Sequence, residues 1–556
     1  MMKTTRPFSA SFSILAALGF GAVGCAPVGD APTEPPNDSD GGQVSNQGDA
    51  TVAHDGAGPK PDGAIVGVDG GVSPDGSAND TGANDPDAGA DGGSSIWSFP
   101  TDGGGPIATG PTVTGTVVVS PSQVAGKVPP RFVGLSYEKS HLTDGFFTPT
   151  NAPLVAFLKL LGPSILRIGA NSVDVTSWDA GAPPTDAAVL GTAIGTADVD
   201  GLAGLLTATG WTGIYAVGLK HSTPAAAAAE ATYVASKLGP LLVAFEVGNE
   251  IDLYGLSQSQ VTTNWEGEVD AIRTAVPSAV LSGPATAGFG YIPTFAMTEA
   301  SRISLLTQHY YRADGTAASS TMAELLAPDP NLSTMLQTMA TAATGNSISL
   351  GFRIDECNSY YNHGSQGVSN AFGAALWIVD FLYTNALAGS TGVNLHGGGT
   401  GQDGTRPFYY SPLEEAAGVV TNAQPIFYGM LLFTIAGTGD LLATTANAKG
   451  SDGGTLNFSA YTVANADGTT NVVIVNKDAA TSVNATVQAG KSVTSASAIY
   501  LQAAGLDATT GVTLAGTGIS NAGAWTPGRP VGLAATGAKV DVLVPAGSAV
   551  VVHLGE

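Results

Sequence analysis

Two glutamates close apolar runs in this chain. Glu250 ends Val243-Ala244-Phe245-Glu246-Val247-Gly248-Asn249-Glu250, and Glu356 ends Gly351-Phe352-Arg353-Ile354-Asp355-Glu356. An apolar run that stops at an acid puts the carboxyl at a strand's C-terminal end, the face where chemistry gathers in a parallel barrel. Two facing carboxyls suit cleavage of a sugar acetal. One must be protonated to protonate the departing oxygen, and the other must be ionised to attack the anomeric carbon. When the second acts as nucleophile, the two groups stand only about 5–5.5 Å apart. Each motif alone has a plainer reading: Asn-Glu at a strand end can cap a helix, and Asp-Glu in a loop can simply face solvent. Together, at compatible positions, they predict a catalytic pair.

The elements that must position them alternate along the chain. Eight strand-like runs appear at Phe132–Tyr137, Ile165–Gly169, Gly213–Leu219, Val243–Val247, Ala279–Gly283, Ile303–His309, Ile348–Asp355 and Val393–His396. Helix-like segments lie between them, including Pro153–Leu161, Ala225–Leu238, Val261–Thr274, Met322–Ala342 and Ala371–Ala388. This alternation predicts an α/β fold, a (β/α)₈ TIM barrel over residues 126–436. The glutamates are 106 residues apart. Three βα units of roughly 31–35 residues each place them on strands four and seven, nearly opposite around the mouth. From 437 to 556 short alternating runs without helices predict an all-β sandwich, and the Thr112–Val119 alternation, within a segment 111–125, predicts a strand that joins it.

Charge narrows the partners. Twenty Lys and Arg stand against 45 Asp and Glu, a net −25, which argues against nucleic acid and against a highly sulfated polyanion. Between Ala26 and Gly105 fourteen acids face one base, Lys60, so 13 of those net charges lie in a Gly/Asp/Pro-rich stretch with few aromatics. Such a stretch cannot bury a core, and residues 26–110 are expected to be a disordered, self-repelling spacer. Calcium loops are the sharper alternative, but the acids lack a regular period. Ahead of the spacer, Lys3 and Arg6 precede an apolar run, Phe8–Val23, that ends in Ala22-Val23-Gly24-Cys25. Residues 1–25 resemble a bacterial lipoprotein signal with Cys25 as the lipidated residue; the alternative is a plain secretory peptide. Either reading predicts export, with a membrane reached only through an N-terminal lipid. Two cysteines, Cys25 and Cys357, rule out a disulfide framework or a Cys-rich zinc site.

The motifs "FVGLSYEKSHL" (132–142), "GPSILRIGANSVD" (162–174), "FEVGNEIDLY" (245–254), "TQHYY" (307–311), "RIDECNSYYNHG" (353–364) and "QPIFYGMLLF" (424–433) together resemble glycoside hydrolase family 79. That family holds β-glucuronidases and heparanase-like enzymes among the retaining clan A barrels, and the resemblance runs from Pro130 to the C-terminus. It implies Glu250 as acid/base and Glu356 as nucleophile. It implies that Asn249 holds the sugar 2-hydroxyl, that Tyr310 supports the nucleophile and that Glu138 bonds sugar hydroxyls. Glu138 could equally pair with Lys139. By the same resemblance Tyr361 and the loop through Asn362, His363 and Gly364 take the substrate's carboxylate, although Asn362 and His363 interrupt the Gly-Gly run of several related enzymes. His363 either adds a charged donor at low pH or faces solvent.

Other residues read more plainly. Cys357 has no base beside it and reads as a small buried neighbour. His309, His363 and His396 lack the short spacing of a metal site, so neither a metal nor a cofactor is expected. Arg167 either steadies the nucleophile or satisfies the barrel core. The leading expectation is a retaining β-D-glucuronidase acting on glycan fragments or small glucuronides. The alternatives are a clan A hydrolase of xylan, glucan or galactan, with Trp178, Trp211 and Trp265 as candidate aromatic subsites, or a non-catalytic glycan-binding surface protein.

Overall fold

The computed structural model describes residues 96–179, 192–399 and 407–555. The signal-like segment with Cys25, and the spacer as far as residue 95, lie outside the described residues. The chain divides into two units, Met1–Thr81 and Gly82–Glu556, and every described residue belongs to the second.

Eight parallel strands close a barrel. In chain order they are Val133–Glu138, Ile165–Gly169, Thr212–Val217, Leu242–Val247, Leu281–Thr286, Leu305–Tyr311, Phe352–Asn358 and Val393–His396, and the eighth pairs with the first. Almost every residue in them is buried, as strands covered on both faces require. The helices between them start at side-chain caps. Thr223 accepts from the Ala226 N–H ahead of Pro224–Leu238, and Ser257 and Gln260 form a capping box for Gln258–Ala275. The single helix expected over Met322–Ala342 is two, Met322–Leu326 and Pro330–Gly345. Pro328 and Pro330 force the break, since neither offers an N–H to continue a helix, and Asp329 caps the second piece.

Two helices are largely apolar, Pro425–Ala436 all round and Phe372–Leu387 except for Asp380, which pairs with Lys477. Both are wedged between the barrel and a large sheet, so little of either faces water. That sheet is one continuous array of eleven strands folded over into the two facing layers of the expected β domain. Its ends curl together: Lys539–Val544 comes against Thr470–Asn476 and Ser548–Gly555, and Val472, Ile474, Val483, Val542 and Val550 share one apolar core. Thr112–Val128 lies inside the sheet, antiparallel to Gly439–Ala448 and parallel to Ser482–Gln488. The barrel is therefore inserted between the first strand of the sheet and the rest. Residues 96–110, which composition assigns to the spacer, pack on this same sheet. Ile96 is buried, Trp97 stacks on His553 at 4.6 Å, and Asp102 pairs with Arg529 at 2.5 Å. Composition cannot anticipate this, because two large apolar residues in a Gly-rich stretch suffice to dock it. Among the described residues no helix is long and apolar enough to cross a membrane.

Candidate active site

Strand four ends in a bend that aims Glu250. Gly248 has φ +76, and a Cβ there would meet Tyr254 Oη and Ile251 Cγ2 at 2.8 Å, so only glycine fits. Glu250 itself is left-handed, φ +48 and ψ 49, a conformation costing roughly 1–2 kcal/mol for an L-residue. Its N–H is tied to the Ala285 carbonyl at 2.8 Å, at the end of strand five.

Strand seven carries Glu356 on an irregularity. Its register with both neighbouring strands slips between Ile354 and Cys357. Regular alternation would send Asp355 and Glu356 to opposite faces; the bulge lets both reach the barrel interior. Arg167, fully buried on strand two, lies between them. Its Nη1 donates to Glu356 Oε2 at 2.7 Å, its Nη2 to Asn249 Oδ1 at 2.9 Å, and its Nε to Glu246 Oε1 at 2.8 Å.

Glu250 and Glu356 come together with His309 from strand six. Donor atoms of the three lie within 4.8 Å of one another, and His309 Nδ1 is 3.1 Å from Glu250 Oε1. This cluster is a poor cation site, because a guanidinium already sits on Glu356 Oε2 and the Tyr311 hydroxyl donates to Oε1 at 2.9 Å. Glu356 is held well below the usual carboxylate range. Burial opposes that shift, but the imidazoles of His309 and His396, the Arg167 guanidinium and the Tyr311 hydroxyl outweigh it. Burial and the nearby Glu356 charge push the Tyr311 phenol up, so it remains a donor.

The two glutamates face an open cavity of about 700 Å³ at the barrel mouth. That lies within the roughly 300–1,000 Å³ typical of small-molecule sites. Glu138, Tyr361 and His363 line it as well, and Tyr361 is 46% exposed. Glu138 Oε2 accepts from the Ser172 N–H at 2.6 Å. Lys139 is not its partner: that lysine is paired with Glu230 at 2.7 Å in the barrel wall. Asn362, His363 and Gly364 are all left-handed, at φ +55, +66 and +83. Gly364 lies behind the lining, where a Cβ would meet Ser369 at 2.9 Å and the Tyr410 backbone at 3.0 Å. Asn249 also sits behind the lining, its amide shared between Arg167 and Asn171.

Tyr310 is not at the site. Its hydroxyl donates to Asp329 at 2.7 Å and its ring stacks on Phe381 at 5.2 Å, outside the barrel. Side chains alternate along strand six, so His309 and Tyr311 point into the mouth and Tyr310 points out. Tyr311 therefore holds the place beside Glu356 expected of Tyr310. Trp178, Trp211 and Trp265 are all buried in the core and cannot form subsites. The aromatic wall comes from elsewhere. Phe408 and Tyr410, after strand eight, pack with His363 and His396 at ring separations of 4.5–6.0 Å. Asn358 ties that segment down by donating to the His396 and Tyr410 carbonyls, both at 2.9 Å. Phe408 and Tyr410 carry no motif signal; Asn171 lies within the 162–174 motif, which does not single it out, and only strand alternation could have found Tyr311. Cys357 is buried, donates weakly to the Asn394 carbonyl at 3.4 Å, and has its thiol pushed up by burial.

No family model matches the chain. A curated β-glucuronidase from Neurospora crassa is 27% identical over 195 residues, a match covering 29% of this chain and 34% of that protein. The chain thus aligns with about a third of the length of that relative. Among solved structures, a 4-O-α-L-rhamnosyl-β-D-glucuronidase from Fusarium oxysporum superposes with a TM-score of 0.60 at 20% identity, over 79% of this chain and 99% of the other. A family 51 α-L-arabinofuranosidase from Bifidobacterium longum superposes with a TM-score of 0.58 at 16% identity, over 80% and 100%. These likenesses bear on the fold: a TIM barrel with an attached β domain.

Proposed function

We propose that this protein is a retaining β-glycoside hydrolase, and that its preferred substrates are β-D-glucuronides. The observation that carries the reading is the approach of Glu250 and Glu356 across the mouth, with carboxylate oxygens within 4.8 Å. That spacing falls on the side of the roughly 5–5.5 Å of retaining pairs rather than the roughly 6.5–9.5 Å of inverting ones, and suits direct attack on the anomeric carbon. Glu356, kept ionised by Arg167 and Tyr311, attacks and displaces the aglycone, forming a covalent glycosyl-enzyme. Glu250, on the more open side with His309 at its carboxyl, gives a proton to the leaving oxygen. It then takes one from the water that releases the sugar.

Glu138 and Asn171, which line the cavity, supply partners for sugar hydroxyls, and Asn249 holds Asn171 and Arg167 from behind. The glucuronide assignment rests on the partial likeness to the Neurospora crassa β-glucuronidase and on the 361–364 loop. There Tyr361, Asn362 and His363 line the cavity, and the run of left-handed residues through Gly364 turns the loop as an anion-binding turn would.

A second reading, a hydrolase of neutral sugars, is favoured by one observation: among the described residues no lysine or arginine lines the cavity. A panel of p-nitrophenyl glycosides separates the two. Turnover of the glucuronide, lost by about 10⁴-fold or more in Glu356→Gln, supports the first. Turnover of neutral glycosides alone refutes the glucuronide assignment and keeps the hydrolase.

A further inference from the structure

Three carboxylate oxygens beneath the mouth have no donor. Glu246 Oε1 takes contacts from Arg167 Nε at 2.8 Å and Nη2 at 2.6 Å, which leaves Glu246 Oε2 bare. Asp355 fares worse. Arg167 Nε stops 3.7 Å from its Oδ2, His309 Nε2 stops 3.9 Å from its Oδ1, and neither oxygen has a hydrogen bond. All three atoms are sealed from solvent. A carboxylate sealed from solvent and given no donor favours its neutral form and takes up a proton.

We propose that Asp355 is a neutral acid whose O–H donates to Glu246 Oε2, and that it acts as a positioning residue for Arg167. Its bearing on catalysis rests on Glu356 being the nucleophile; the location of the proton does not. The charge count gives the reason. With Asp355 ionised, one guanidinium would face three buried carboxylates. Arg353, on the same strand, is directed at Asn394 and at the Phe132 and Val393 carbonyls on the barrel floor, and His309 Nε2 stays 3.9 Å from Asp355 Oδ1. With Asp355 neutral, Arg167 faces two anions, Glu246 and Glu356. Its Nη1 is then free to hold the nucleophile.

The groups facing Asp355 are Arg167 from strand two, Glu246 from strand four, His309 from strand six, and Arg353, Glu356 and Cys357 on its own strand. Burial and then the Glu246 charge push the Asp355 carboxyl well above its ordinary range. Glu246 goes the other way: against the effect of burial, Arg167 and the bond from Asp355 pull it down.

Infrared difference spectroscopy on the full chain, with ¹³C-labelled aspartate, tests the proton directly. At neutral pH the wild type is expected to show the carbonyl band of a neutral carboxylic acid, and Asp355→Asn to lack it. Kinetics with a glycoside substrate test the role. Asp355→Ala leaves Glu246 Oε2 without a donor and is expected to lower kcat about tenfold or more. Asp355→Asn supplies an N–H in its place and is expected to recover to within about threefold. The acid limb of its kcat/KM profile should stay where it is. A missing infrared band overturns the proposal. So does an acid limb that moves to lower pH in Asp355→Asn, because removing a negative neighbour would make Glu356 a stronger acid. If no glycoside is turned over at all, the infrared band still decides where the proton lies.

Discussion

The barrel mouth and the curled sheet are both deeply buried, and they are built on opposite principles. The sheet core is aliphatic, with Val, Ile and Leu from facing strands and a complete ladder of backbone bonds. The mouth buries Arg167, Glu246, Asp355, Glu356 and His309 within one connected cluster, and it holds Glu250 in a left-handed backbone. Buried charges and strained backbone lower stability unless their surroundings fix them. The contrast teaches a division of labour. The sheet and the two largely apolar helices against it contribute the stability, and the mouth retains costly groups because the chemistry uses them.

The contrast breaks most readily at Arg167. Arg167→Met strips Glu246 and Glu356 of their shared cation while keeping the bulk. It is expected to cost about 3–5 kcal/mol of stability and to abolish turnover. Thermal unfolding checks the first and steady-state rates the second. An unchanged Tm would mean that the cluster carries no such interdependence.

Strand six offers a sharper cut, because two adjacent tyrosines belong to the two kinds of region. Tyr311→Phe removes a bond to the charged Glu356 and is expected to cost about 1.5–3 kcal/mol in kcat/KM, with little change in Tm. Tyr310→Phe removes only the bond to Asp329 and is expected to leave kcat/KM alone while lowering Tm slightly. Equal losses of rate in the two variants would refute the alternation. The smallest effect belongs to the sheet. Ile474→Val, in its core, should cost about 1 kcal/mol in chemical denaturation and leave kcat unaltered. A fall in kcat there would show that the sheet does more than stabilise.

The same contrast explains what could be read from the residues alone. Strand periodicity and spacing were enough for eight barrel strands, for the positions of Glu250 and Glu356, and for an N-terminal strand near the β domain. Features set by tertiary contact were hidden. Pro425–Ala436 shows no helical stripe because both its sides are covered. The continuity of the β domain as one curled sheet depends on the pairing of Thr112–Val128 with Gly439–Ala448, more than 300 residues later, which periodicity does not specify. The choice between Tyr310 and Tyr311 turns on strand phase, which a motif match does not fix. Asp355 looks like a solvated loop acid until the slip in strand seven turns it inward. The buried Trp178, Trp211 and Trp265 show that residue type alone does not reveal whether an aromatic side chain packs or binds.

Trapping the sugar on the protein tests the pairing of Glu250 with Glu356 most directly. The full chain would be incubated with a 2-deoxy-2-fluoro-glucuronyl fluoride, weighed by intact-mass spectrometry, digested and mapped. One adduct on the peptide that contains Glu356, absent in Glu356→Gln, is the expected result. An adduct on another carboxylate, or turnover of glycosides with inversion and no adduct, would contradict it.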